Sequence, residues 1–585
     1  MYSHFATAAK FFFHHPWLLG LIIALLGGRR LGRVMGRIES AMRRLGRRPV
    51  ASAALIFALA LGCRVALVPA LPVPVPFISD EFSYLVAADT FASGRVSNPT
   101  HPMWVHFETF HVNFQPTYHS KYPPAQGMVL GAAEALTGIP WLGVLVSTAA
   151  MCAAIFWMLC GWMPGGWALL GGLWAVAHYF GGHYWINSYW GGAVAASGGA
   201  LVLGTVPRIV RNLRVRDAIL LATGMSILAN SRPYEGLLLA TGTVILLAVG
   251  LARRRVPATT LMRQVAVPAA VVLSATAAAM MYYFWRTTGN PLLMPHEWHA
   301  EQYQTAGAFF WQDPKPSQQH GYHHPELFTF YVNWEPAPWG RGPDSLMAFT
   351  RRKLNAYADF AWPFPVLFFL GLIYLVRARR GLLLTVIAIT AAGLAIERWE
   401  HAHYAAPMTA LAISILLWGL RYLRLWNRPR RLGLRCSQAM LIMIPLLTVA
   451  KTASLIQATF NSDFPGLDGA QRARISAQLE RTPGKHLVIM RYGPLHSIHA
   501  EWVYNAADID RAKIVWARDM SPERNQELLE YFHDRRVWLV DPTAPIVQAR
   551  LIHDPSELLS ASDMVQARTQ RGLSPGSANQ QRAAP

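Results

Sequence analysis

PFISDEFSYLVAADTFASGRVSNPTHPMWVHFETFHVNFQPTYHSKYPP, residues Pro76 to Pro124, is a polar interruption between two hydrophobic spans. Asp80 and Glu81 open it, and Lys121, its only lysine, stands near its end. Acids just beyond a span, with a lone cation close to the next one, suit a site that handles an anionic lipid head and an attacking hydroxyl. A carboxylate at Asp80 could take the proton of that hydroxyl or hold a divalent cation. Ser79, Asp80 and Glu81 would equally well cap a helix from Phe82 to Ala92 at its positive end, and the two readings are compatible.

The composition around this loop is that of a membrane protein. Of 585 residues, 53% are hydrophobic and only 15% charged, too apolar for a soluble chain. The net charge of +21 sits in short arginine clusters beside apolar spans, the pattern of topology selection and anionic lipid, so nucleic acid is not an expected partner. Cys63, Cys152, Cys160 and Cys436 all fall in or beside apolar spans and suggest neither a disulfide framework nor a metal site.

Met1 to Gly28 is too short an apolar run for a comfortable span and reads as an interfacial or re-entrant helix. Arg29 to Arg48 has apolar residues at helical spacing among its arginines, a basic amphipathic helix on the cytoplasmic surface. Spans are then expected at about Val50 to Leu71, Trp141 to Cys160, Gly165 to Phe180, Gly191 to Val206, Ala218 to Asn230, Gly236 to Leu251, Val265 to Phe284, Pro363 to Val376, Leu382 to Ile396, Ala405 to Leu420 and Met440 to Ala458. If Ala125 to Leu136 does not cross, the clusters Arg208 to Arg216, Arg253 to Arg263, Arg377 to Arg380 and Arg421 to Arg435 all fall on one side. The loop Pro76 to Pro124 and the C-terminus then lie outside, with Gly181 to Trp190, Ser231 to Glu235, Arg286 to Trp362 and Glu397 to Tyr404.

The expected organisation is an N-terminal interfacial and basic segment (1–48), a transmembrane domain (49–460) with outer loops at 76–140 and 286–362, a soluble α/β domain (461–555) and a disordered tail (556–585). In the α/β unit, His486 to Met490, Lys513 to Ala517 and Val537 to Val540 read as strands, with a helix at Pro522 to His533. The fold class is thus a polytopic α-helical membrane protein with about 11 to 12 spans and a small C-terminal α/β extracytoplasmic domain.

Further candidates lie on the outer side. Lys121, in TYHSKYPP, would serve a phosphate as a point charge or snorkel at the interface; Tyr122 beside it is a substrate-binding candidate. Arg232, in NSRPYEG, is costly between two spans unless paired or used, and Glu235 offers either a salt bridge or a second site group. ERWEHAHY places Glu397, Arg398, His401, His403 and Tyr404 at the mouth of a span, for substrate hydrogen bonding, metal coordination or solvent. His296 and His299 have the spacing of two ligands on one turn but lack a third, so no metal site is assigned and a divalent ion remains an option only. Trp104, Phe107, Phe110, Tyr118, Tyr184, Trp185, Tyr189 and Trp190 would stack on a sugar or, the stronger reading, flank lipid. No phosphate-binding glycine loop occurs in a strand-to-helix setting, so a donor would come from the membrane.

The acidic pair after the first span, the lysine before proline, the basic residue of the later outer turn and the C-terminal unit together resemble the GT-C glycosyltransferases, and more closely their protein O-mannosyltransferase and lipid A aminoarabinose transferase branch. The resemblance covers roughly Val50 to Leu251. It implies an inverting transferase that uses a polyprenyl-phosphate sugar, with Asp80 as the acid that activates the acceptor, Glu81 as its neighbour, and Lys121 and Arg232 at the donor phosphate. Tyr122 between lysine and proline, and Pro233-Tyr234-Glu235 before glycine, depart from the family pattern. The expected setting is a bacterial inner membrane, with the C-terminal domain in the periplasm and membrane lipids and an extracytoplasmic lipid, glycan or protein acceptor as partners. A flippase for a lipid-linked sugar and a non-catalytic envelope scaffold are the alternatives.

Overall fold

The computed structural model describes residues 28–316, 321–336, 343–426, 432–460, 467–493, 496–544, 547–554 and 558. The expected interfacial helix before Gly28 and, Leu558 apart, the tail from 556 lie outside the described residues.

The helix α1 (Gly28–Gly46) carries the arginine-rich segment. Pro49 starts α2 (Pro49–Ala66), after which prolines at 69, 72, 74 and 76 remove donors and force an extended exit. Arg64, fully buried near the end of α2, pins that exit by donating to Leu71 O at 2.9 Å, Pro72 O at 3.2 Å and Asn187 Oδ1 at 3.2 Å. The loop then folds on itself. It comprises α3 (Ser79–Ala92), β1 (Asn98–Pro99), β2 (Val112–Asn113), β3 (Thr117–Ser120) and α4 (Pro124–Thr137), with the strands in antiparallel order β1-β3-β2. Ser83 of α3 binds His111 O at 2.6 Å and Ser120 Oγ at 2.7 Å. A Cβ on Gly127 or Gly131 of α4 would lie 2.6 Å from Ala87 Cβ or Ala88 O, so only hydrogen at these positions lets α4 lie on α3. This packing against α3 occupies the helix that is too short to cross.

The remaining helices are α5 (Trp141–Trp162), α6 (Gly165–Tyr179), α7 (Ala193–Asn212), α8 (Val215–Ala229), α9 (Pro233–Arg253), α10 (Ala258–Thr288), α11 (Pro343–Ala358), α12 (Pro365–Arg377), α13 (Gly381–Ile396), α14 (Ala402–Leu425) and α15 (Leu432–Phe460). Each expected span coincides with one of them or, for Val50 to Leu71, with α2. Among the described residues seven helices are long and apolar enough to cross a membrane, or eight if the bent pair Ser345–Ala361 and Pro365–Arg377 is one span. That pair turns by 84°, so the span expected at Pro363 to Val376 is a 13-residue helix continuing from α11. Arginine-bearing helix ends meet in pairs, Arg254 donating to Arg211 O at 2.9 Å and Arg424 pairing with Glu39 at 2.8 Å. The interhelical core is tight where α12 meets α14, with Gly371 and Gly419 facing the opposing backbone carbonyls of Ile415 and Leu367.

The C-terminal unit has α16 (Leu467–Arg481), β4 (Lys485–Met490), β5 (Ile514–Arg518), α17 (Pro522–Tyr531), β6 (Arg535–Val540) and β7 (Arg550–Leu551), in sheet order β5-β4-β6-β7 with β7 antiparallel. Alternation along β4 and β5 sends Val488, Met490 and Trp516 towards Ile475 and Leu479 of α16, and Leu487, Ile489 and Val515 towards Phe107, Val112 and Tyr118 of the first loop. The sheet therefore shares a core with that loop. Tyr504 stacks on Phe82 at 4.3 Å, and Arg472 lies over both Phe82 (4.8 Å) and Trp516 (4.6 Å). This corrects the lipid-facing reading of several outer aromatics: Phe107, Phe110 and Trp185 are at most 1% exposed, and Tyr118 and Tyr189 are buried as well.

Candidate active site

Asp80 stands in the first turn of α3, which fixes its position through its neighbour. Glu81 accepts from Phe77 N at 2.8 Å and Ile78 N at 3.2 Å on one oxygen, and from Tyr189 N at 3.0 Å on the other. It thus ties the start of α3 to the turn between α6 and α7 and does not line the cavity described below. Asp80 does line it, its side chain 23% exposed. The Tyr122 hydroxyl donates to Asp80 Oδ1, and His111 Nε2 lies 3.9 Å from Oδ2.

The cavity, of about 830 Å³, is walled by the first loop, the start of α9, the segment between α10 and α11, and the loop before α14. Asp80, Lys121, Tyr122, Arg232, Glu235 and Glu397 all face it. His401 and Tyr404 also line it, whereas Arg398 and His403 stand behind the wall. Arg398 is 1% exposed and reaches Gln312 O at 3.3 Å; His403 Nδ1 bonds the Tyr184 hydroxyl at 3.0 Å and its ring packs 4.5 Å from Trp190.

Lys121 is 4% exposed, its Nζ 5.2 Å from the Tyr122 ring centre, and among the described residues no protein acceptor is hydrogen-bonded to its ammonium. Burial lowers its pKa to about 8, with Glu335 and Asp80 opposing the drop, so it is cationic at pH 7. Burial would raise the Asp80 carboxyl, but His111, Lys121, the Tyr122 hydrogen bond and His401 together hold it below the ordinary value. His111, pushed by burial to about 3, is neutral at pH 7, which leaves Lys121 as the nearby cation. Arg232, the residue before α9, stacks over the Tyr404 ring at 4.4 Å and forms no ion pair with Glu235, so the structural salt bridge is not made. Burial disfavours its charge, yet Tyr84, Glu235, Tyr404 and Glu397 more than compensate and its pKa is raised. Glu397 is raised well above the carboxylate range by burial and then by Glu235, and His401 is lowered by burial.

Several cavity residues carried no sequence signal. His111 has φ 63°, a left-handed conformation uncommon outside glycine, and its N–H donates to Tyr331 OH at 3.2 Å. Glu335, 3% exposed, accepts from Gln304 Nε2 at 3.0 Å; burial raises it to about 7. Trp334 and His499 complete the wall.

The cavity carboxylates do not gather into a metal-ligand set. Among the described residues the one grouping of three ligand-type residues with their ligand atoms within 4.8 Å of one another is His178, His183 and Asp359. There Trp185 N donates to His183 Nδ1 at 3.1 Å, so Nε2 carries the proton and donates to Asp359 at 2.8 Å; that nitrogen has no lone pair for an ion. His299 is likewise engaged, by Asn113 Oδ1 at 2.8 Å and Tyr331 OH at 2.9 Å, so His296 and His299 are not paired ligands.

No family model matches the sequence and no curated protein matches it. Among solved structures the chain is similar to ArnT from Cupriavidus metallidurans in the apo state, with 14% identity, 83% of this chain and 92% of that one covered, and a TM-score of 0.48. It is similar also to the Archaeoglobus fulgidus oligosaccharyltransferase tethered with an acceptor peptide, at 10% identity over 84% and 68% of the two chains, TM-score 0.44. A third match is AglB of the same organism in complex with an inhibitory peptide and a dolichol-phosphate, at 11%, 84% and 69%, TM-score 0.39.

Proposed function

We propose that this chain is an inverting glycosyltransferase that moves a sugar from a polyprenyl-phosphate donor to an acceptor on the outer side of a bacterial inner membrane. The observation that carries the reading is one cavity holding an ionised carboxylate, Asp80, together with two cations, Lys121 and Arg232, neither of which makes a hydrogen-bonded ion pair with a carboxylate among the described residues.

Asp80 Oδ2, with Oδ1 held by Tyr122, takes the proton of the acceptor hydroxyl or amine as that atom attacks the anomeric carbon. The bond from that carbon to the phosphate oxygen breaks, its electron pair leaving with the phosphate. Lys121, itself buried, and Arg232 neutralise the departing charge. Glu81 holds the start of α3 so that Asp80 points inward; Tyr122, Glu235, Glu397, His401 and Tyr404 shape the donor side, and Arg398 and His403 brace the loop that presents them.

The test is product formation by purified protein reconstituted with a labelled polyprenyl-phosphate sugar and an envelope extract. Label transferred to an acceptor supports the proposal. Labelled lipid that changes leaflet without product would replace it with the flippase reading, and neither event would leave the scaffold.

A further inference from the structure

Two chemically different groups of residues line the cavity. One is Leu237 of α9 with Met280 and Phe284 of α10, helices that are among the long apolar ones. The other is Phe330, Trp334 and Glu335 of the segment between α10 and α11, with His499 of the C-terminal unit. A donor anchored by a lipid tail suits the first group, which leaves the second as the acceptor end.

We propose that the C-terminal domain supplies the acceptor end of the cavity, with Trp334 and His499 as the binding platform, and that the acceptor is a carbohydrate. The inference rests on the transferase reading above. Trp334 and His499 meet edge to face at 4.5 Å, and Phe330 packs 5.0 Å from Trp334. Phe330 in turn lies 5.5 Å from His111, whose Nε2 is 3.9 Å from Asp80. The platform is therefore contiguous with the base. Aromatic rings offer negative faces to the C–H groups of a sugar ring, and a neutral imidazole gives and takes hydroxyl hydrogen bonds. Burial lowers the pKa of His499, which keeps it neutral at pH 7. Glu335 is committed to Gln304 and to the charge of Lys121, so this end does not hold a carboxylate set aside for an ammonium group.

The platform is held firmly. Arg518, 2% exposed, donates to Glu108 O at 2.9 Å and Glu326 at 3.1 Å, and pairs with Glu501, two residues from His499. First loop, middle segment and C-terminal domain are thereby locked around the same opening. This gives the C-terminal domain a reason to share its core with the catalytic loop.

The experiment uses the full chain in lipid nanodiscs with labelled polyprenyl-phosphate sugar and three probe pools from envelopes: polysaccharide, delipidated protein and phospholipid. Label is expected in the polysaccharide. Trp334→Ala and His499→Ala are expected to raise the KM for that pool about tenfold, while the donor KM stays within about twofold. His499→Gln, which keeps a donor and an acceptor, restores much of the loss, and Trp334→Phe carries the comparison if the alanine protein unfolds. Label in protein or phospholipid overturns the acceptor class, and an unchanged acceptor KM in both alanine variants overturns the platform. Absence of transfer by the unaltered protein overturns the transferase reading and this inference with it, whereas transfer insensitive to both residues overturns this inference alone.

Discussion

The charge of Lys121 sets a pH dependence that can be worked out before any assay. The residue is 4% exposed, and burial lowers its pKa from 10.5 to about 8 against the opposing pull of Glu335 and Asp80. That difference corresponds to about 3 kcal/mol of charge burial left uncompensated in the free protein. A donor phosphate supplies the missing counter-charge, so binding raises the pKa. Only the protonated form attracts the phosphate; activity is therefore present below about pH 8 and lost above it. The alkaline limb of kcat/KM for the donor falls near pH 8, whereas that of kcat, which reports the bound complex, lies at higher pH. In Lys121→Arg the guanidinium keeps its charge and the limb near pH 8 disappears. Lys121→Met, which removes a preorganised counter-charge to the departing phosphate, loses on the order of a hundredfold in kcat/KM. Initial rates with labelled donor across the alkaline range read all three. A Lys121→Arg profile that still breaks near pH 8, or identical limbs for kcat and kcat/KM, would refute the reasoning.

Other expectations concern the scaffold. Glu81→Gln replaces an acceptor of three backbone N–H groups by one that also carries an NH₂, and is expected to destabilise the protein by about 1–3 kcal/mol in thermal melts while leaving the alkaline limb in place; an unchanged melting temperature contradicts it. Gly419→Val sets a branched side chain against the Leu367 carbonyl and should cost about 1–3 kcal/mol or more, seen as a lower melting temperature or poor recovery of folded protein. His323, 42% exposed, is raised by its 3.0 Å hydrogen bond to Glu108, with burial opposing. A folded-state pKa above the unfolded one means its contribution is full below about pH 6.5 and is lost as pH rises through the folded value, so hydrogen exchange around Tyr303 and His323 should increase over that window and lose its pH dependence in His323→Gln.

The sequence was most informative where one residue and its near neighbours decide the outcome. Hydropathy placed every apolar helix, and the brevity of Ala125 to Leu136 together with the arginine clusters marked α4 as a helix that does not cross; its Gly127 and Gly131 face explains where it goes instead. Asp80 and Arg232 stood out as charges at the edge of an apolar span, and Lys121 as the only lysine of its loop. The β-branched run His486 to Met490 likewise announced a strand, with one face of its sheet expected on helices; the structure buries both faces. What covers the second face was not legible, because Phe107 and Tyr118 have the composition of an interfacial belt and only the long-range fold turns them towards the sheet. Glu335, Trp334 and His499 gave no signal for the same reason: they reach the cavity from segments far along the chain, and no periodicity links them to Asp80. His111 was hidden differently, in a backbone conformation that composition does not encode.

The central claim is that Asp80 takes the acceptor's proton. Its most direct measurement is single-turnover transfer from labelled polyprenyl-phosphate sugar by purified Asp80→Asn, a substitution that keeps the shape and a partner for Tyr122. The account predicts a chemical step slowed on the order of 10²-fold or more with donor binding retained. Transfer at the unaltered rate would contradict it and leave Asp80 no more than the first-turn charge of α3.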